Sequence, residues 1–75
     1  MQSDEQQRAF EYDQAREQLE ATIDRFGLRV VTDMLAGICL DKAEHVESNW
    51  QDRKLARQWE RDSKAFSAIK LHATE

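Results

Sequence analysis

The chain divides by its apolar spacing into three helical stretches. Advancing about 100° per residue, Tyr12, Ala15, Leu19, Ile23 and Phe26 fall on one face with Thr22 beside them, the stripe of an amphipathic helix. Ser3 with Gln6, or Asp4 with Gln7, has the spacing of a capping box, and Gly27 is the favoured residue just past a helix end. These signals predict a first helix over about residues 4–26. Phe10 lies nearly opposite the stripe, with Gln14, Glu17 and Ala21, so burying it requires a second surface.

A second helix is predicted over about residues 28–48. Its main face collects Val31, Met34, Leu35, Ile38, Cys39 and Val46, with Trp50 if the helix runs that far. Its back is also partly apolar, through Val30, Ala36, Gly37, Leu40 and Ala43, interrupted by Arg29, Asp33, Asp41 and Glu44. Such a helix wants contacts on two sides. Glycine inside a helix costs about 1 kcal/mol relative to alanine, so Gly37 reads either as a close approach of another backbone or as a tolerated residue. The break after it has two candidate caps, Ser48 paired with Gln51, or Asp52 opening a turn of its own. A third helix, over about residues 52–71, carries the stripe Leu55, Trp59, Phe66 and Ile69.

The pattern predicts a single all-α domain over residues 1–75, built as a three-helix bundle or as a helical hairpin that completes its core by dimerising. Composition sharpens this. The 75 residues include no proline, two glycines and one cysteine, which excludes a disulfide within the chain and most β architectures. A domain of this size buries only roughly 60% of the surface its unfolded chain exposes, so a partner subunit is the expected support. Charge is uneven. Residues 1–27 hold seven acids and three bases, residues 28–48 four and two, and residues 49–75 four and six, so the segments carry −4, −2 and +2. Opposite signs on the first and third helices are expected to steer them together, although each exposed pair contributes only about 0–1 kcal/mol.

No run approaches the roughly 18 apolar residues of a membrane span, and the start, Met1-Gln2-Ser3-Asp4-Glu5, is acidic where a signal peptide is basic then apolar. The expected place is the cytoplasm, without a membrane. Chemistry finds little foothold. Asp41 and His45 are spaced i, i+4, an arrangement that lets a carboxylate orient an imidazole, but no nucleophile or oxyanion donor sits at a recognisable spacing. No catalytic residue is assigned. Lys42 and Ile69 stand where a ferritin-like site needs a glutamate before His45 and His72, and Cys39 and His45 point more than a quarter-turn apart. No metal or cofactor is expected. Cys39 reads as a small core hydrophobe, and His45 as a packed histidine with one hydrogen bond.

Arg53, Arg57, Arg61 and Lys64 line the back of the third helix. This ridge is either a solvated helix back or a track for nucleic-acid phosphates or an acidic partner. No aromatic interleaves it, so a stacking platform for single strands is unsupported. The glycine turn Ile23-Asp24-Arg25-Phe26-Gly27-Leu28 has the outline of a helix-turn-helix, but the following Arg29-Val30-Val31-Thr32-Asp33 offers apolar and acidic groups where bases would be read. Trp59 belongs to a core stripe; Trp50, at the break, is the better interface candidate together with Phe10.

Gly27-Leu28, Ile38-Cys39, Lys42-Ala43-Glu44-His45, Asn49-Trp50-Gln51-Asp52 and Trp59-Glu60 together resemble a group of small helical proteins of bacterial and phage type. The resemblance covers about half the chain and transfers no functional residue, but it raises interest in His45, Asn49, Trp50 and Gln51 as a unit. The functional expectation is a non-enzymatic protein–protein interaction module, homodimeric, of the kind by which a phage inhibits or modulates a host protein. Its contact surfaces are expected at Phe10, Val30, Gly37, Leu40 and Trp50. The alternative is a nucleic-acid binder using the basic ridge, and an enzyme or metal-binding helical protein comes third.

Overall fold

The computed structural model describes residues 4–73, and all its regular structure is helical. Helix α1 runs Asp4–Phe26, α2 runs Leu28–Trp50 and α3 runs Arg53–Ala68. The all-α expectation and the first boundary hold. Ser3, one of the two candidate caps for α1, lies outside the described residues.

The two connections differ by one residue, and that difference sets the architecture. Between α2 and α3 stand Gln51, in the left-handed conformation (φ 53°, ψ 32°), and Asp52, whose Oδ1 accepts the Leu55 N–H at 3.0 Å. Asp52 is therefore the working cap, and α2 continues through Ser48 to Trp50 instead of stopping there. Two linking residues suffice for an antiparallel helical hairpin. Arg29 at the start of α2 donates from Nη2 to the Ile69 carbonyl just past α3, at 2.6 Å, and Ser63 Oγ donates to the Ala36 carbonyl at 2.8 Å. Both bonds fix the same antiparallel register. In that register Ala43 lies level with Ala56.

Between α1 and α2 stands Gly27 alone. Its N–H donates to the Ile23 carbonyl at 2.7 Å, closing the last turn of α1, and its carbonyl accepts the Val31 N–H at 3.2 Å, opening α2. Its backbone, at φ 89° and ψ 156°, occupies a region open essentially to glycine. One residue shared by both helices turns the chain through a corner but does not reverse it. Helix α1 accordingly touches α2 and makes no packing contact with α3. Of the two predicted arrangements, bundle or hairpin, the protomer shows the hairpin, α2 against α3 with α1 beside α2 only, and the opposite charges of the first and third segments do not bring these helices together within a protomer. No residue of α1 is buried, and only Thr22 and Ile23, near the corner, are half-buried.

The core is the seam between α2 and α3. Thr32, Ala36, Cys39, Ala43 and Val46 of α2 are buried with Ala56 and Ser63 of α3, and Val31 is buried beside them. Most of these side chains are small, so the helices can approach at the short end of the roughly 8–10 Å range for packed helices. The seam corrects the predicted main face of α2. Ala36 and Ala43, assigned to its back, are packed inside, whereas Met34 and Ile38, assigned to its front, are 40% and 50% exposed. Each buried hydroxyl is satisfied, Thr32 Oγ1 by its own helix through the Leu28 carbonyl at 2.8 Å and Ser63 by α2. Helix α3 ends at Ala68, earlier than predicted, because Ile69 turns extended (φ −65°, ψ 136°).

Because the seam is built from small residues, enlarging one should be worse than removing its hydrogen bond. Ala43→Leu is expected to cost about 1–3 kcal/mol by overpacking, and Ser63→Ala about 1 kcal/mol. Urea unfolding followed by circular dichroism checks the order; a larger loss from Ser63→Ala would contradict the seam.

Candidate functional site

The chain is far more open than its length requires. A compact 75-residue domain has a radius of gyration of about 11 Å, whereas this one has 15.5 Å and extents of 40 × 38 × 16 Å. A compact monomer of its mass exposes about 4,800 Å², against 6744 Å² here. The excess is roughly 2,000 Å² by that scaling, and the large exposed apolar side chains fall mainly in three places.

The first is α1. Tyr12, Leu19 and Phe26 of its stripe are all exposed, so the whole stripe above Ile23 lacks a partner. Arg25 lies over the Phe26 ring at 5.3 Å, a cation–π contact that covers one face of it. The second is one side of the hairpin. On the seam-centred helical wheel, Leu35 and Ile38 of α2 and Leu55, Trp59 and Phe66 of α3 flank the same side. Leu35, Trp59 and Phe66 are half-buried, and Ile38 and Leu55 are exposed. They outline an apolar groove of the kind a third helix fills in a bundle. The third is the opposite side of the hairpin, where an open groove of about 780 Å³ has Leu40, Ala43 and Ala68 among its lining and Asp41, Glu44, Glu47 and Glu60 around it, with Lys64 the one cation.

The sequence-predicted contact residues scatter over this surface. Phe10, Val30, Leu40 and Trp50 are 57%, 41%, 51% and 73% exposed. Phe10 sits 17 residues before Gly27, about 25 Å along α1 from the corner, and Trp50 is about 30 Å along α2 from Val30. They therefore form no single patch; Val30, Gly37 and Leu40 share one side of α2, and only Leu40 enters a groove. A Cβ built on Gly37 meets nothing within 4 Å, so within the protomer no backbone approaches it. The groove of Leu35, Ile38, Leu55, Trp59 and Phe66 was missed as a site because its members read as core; the signal available was that the stripes of α2 and α3 are wider than one helix pair can cover.

The polar candidates are equally plain. Arg53, Arg57, Arg61 and Lys64 are exposed and make no ion pair or hydrogen bond among the described residues. The one ion pair there is Arg29 with Asp33 at 3.8 Å, one helical turn apart. His45 is exposed, not packed: Asn49 Nδ2 lies 3.1 Å from its Nδ1 and 3.0 Å from its carbonyl. Asp41 makes no bond to it. The His45–Asn49 pair holds the last turn of α2 and does not close onto α3. Cys39 is a free thiol buried in the seam, as a small core hydrophobe would be. Among the described residues no three His, Cys, Asp or Glu side chains form a metal cluster, and no helix is long and apolar enough to cross a membrane.

No protein-family model, curated protein or solved structure matches the chain.

The open space at Gly37 gives a direct test of its role. Gly37→Ala is expected to raise protomer stability by about 0.5–1 kcal/mol, the ordinary propensity gain in a helix interior. A loss in urea unfolding would mean that another backbone approaches Gly37 after all.

Proposed function

We propose that this chain is a non-enzymatic protein–protein interaction module that works as a homodimer and holds a second, different protein. The observation that carries the reading is the surface excess: roughly 2,000 Å² per protomer, or about 4,000 Å² for a pair, lies within the 2,000–5,000 Å² that obligate homodimers bury. Exposed apolar stripes such as those of α1 and of the hairpin mark interaction sites. The acid-rimmed groove at Leu40, on the side of the hairpin away from the apolar groove, suits a basic amphipathic segment of another protein by charge complementarity. Val30 and Gly37, on the same side of α2 as Leu40, are further contact points for that protein, and Phe10 and Trp50 are separate exposed anchors remote from the groove. A short acidic module of this kind suits a phage-type inhibitor or modulator of a host protein, the reading to which the resemblance also leads, and the expected place of action is the cytoplasm.

A second reading is supported by four of the five exposed cations of α3, which share one face. Arg53, Arg57, Arg61 and Lys64 along one helix face would suit nucleic-acid phosphates, with affinity falling steeply as salt rises. Enzymatic or metal chemistry has no comparable support, since His45 and Asn49 share a helix-end hydrogen bond and Asp41 makes no bond to either.

Sedimentation equilibrium is expected to give twice the 8.8 kDa protomer mass. A protomer mass at every concentration would defeat the homodimer. Leu40→Asp should leave the dimer intact while abolishing retention of the host protein on the immobilised chain. Retention of duplex or single-stranded nucleic acid at low salt, lost in an Arg57→Glu, Arg61→Glu double variant, would instead favour the second reading.

A further inference from the structure

We infer that the dimer forms by exchange of α1: the first helix of one copy fills the apolar groove between α2 and α3 of the other, and the reverse. The inference rests on the homodimer reading and goes further by naming which surfaces meet.

Three observations support it. The groove of Leu35, Ile38, Leu55, Trp59 and Phe66 is the place of a third helix, and no helix of the same chain covers it, since α1 does not touch α3. The single-residue corner at Gly27 keeps α1 from folding back onto its own hairpin, whereas an α1 arriving from a second copy is free of that constraint. The two surfaces also match in kind and length. The stripe from Tyr12 to Phe26 spans about 21 Å, and the groove edge from Leu55 to Phe66 about 17 Å.

Net charge favours the same pairing. Residues 1–27 carry −4, whereas residues 28–48 and 49–75 carry −2 and +2 and so sum to zero; two first helices laid together repel, while a first helix on the partner's hairpin meets no net repulsion. The occupant is α1 of a second copy because a second hairpin stacked face to face would leave the exposed stripe of Tyr12, Leu19 and Phe26 bare on both copies. Exchange of identical elements between protomers is a low-cost route to a dimer where a short hinge prevents closure within one chain. It would also convert two open chains into two closed three-helix units, each with the core that one chain lacks. The exchange leaves the Leu40 groove and Phe10, which faces away from the stripe, free for another protein.

The test mixes equal parts of carbon-13-labelled and unlabelled protein, dissociates and reassociates them, and records isotope-filtered nuclear Overhauser effects beside the sedimentation mass. Contacts between the Trp59 and Phe66 rings of one copy and the Leu19 and Ile23 methyls of the other are expected. A dimer mass without those contacts, or with intermolecular contacts only between hairpins, would overturn the exchange while leaving the homodimer standing; a protomer mass would overturn both. Leu19→Glu supplies a second measure. Leu19 is exposed in the protomer, so the hairpin should keep its helicity while the dimer dissociation constant rises roughly thirtyfold or more, as for loss of an interface anchor. An unchanged constant would count against exchange.

Discussion

The fold turns on one residue serving two helices. Gly27 donates the bond that ends α1 and accepts the bond that begins α2, which leaves no spare residue with which to reverse direction. Every large feature follows from that. Helix α1 leaves the corner as an arm, the hairpin of α2 and α3 keeps one side bare, and the molecule is wide where a bundle would be round. The same sequence with two or three linking residues would have the apolar surface to close on itself. Held open, it exposes the materials of a core.

The hairpin shows the complementary solution. Its link has two residues, one left-handed and one a helix cap, and the helices return antiparallel. The seam they form is narrow and built from alanines, a serine, a threonine and a cysteine, with Val46 toward the turn. Small residues let the backbones come close, and the Ser63 hydroxyl uses that closeness to reach a carbonyl on the other helix. The larger side chains that flank the seam, Leu35, Trp59 and Phe66, are pushed to its margin and are only half-covered. Close packing at the centre and exposure at the margin thus have one cause.

Much of the secondary structure was legible in the sequence, because periodicity, Gly27 and Asp52 are local signals. The ends of α2 and α3 were less so: Asn49 holds one more turn by bonding to His45, and Arg29, far off in sequence, holds the Ile69 carbonyl. The packed face of α2 was misjudged because hydrophobicity ranks Met34 and Ile38 above Ala36, Ala43 and Thr32, whereas a close helix pair selects for size. The placement of α1 was misjudged because net charge takes no account of linker length. As for the candidate site, the exposure of Phe10 was readable from its position opposite a stripe, and the double-sided nature of α2 from its composition. Their separation on the surface was not, since it depends on the angle at the corner.

The absence of any buried residue in α1 also bears on how the protomer comes apart. A helix tied to the rest of the chain at one corner shares almost none of its cooperativity. In a lone protomer the residues from Leu28 to Ile69 open as one unit, while α1 frays on its own, since most helical stability in proteins comes from tertiary packing and α1 has almost none. Backbone amides in the first 23-residue helix would then exchange with solvent far sooner than those along the seam, so a single melting temperature would describe the hairpin and not the chain.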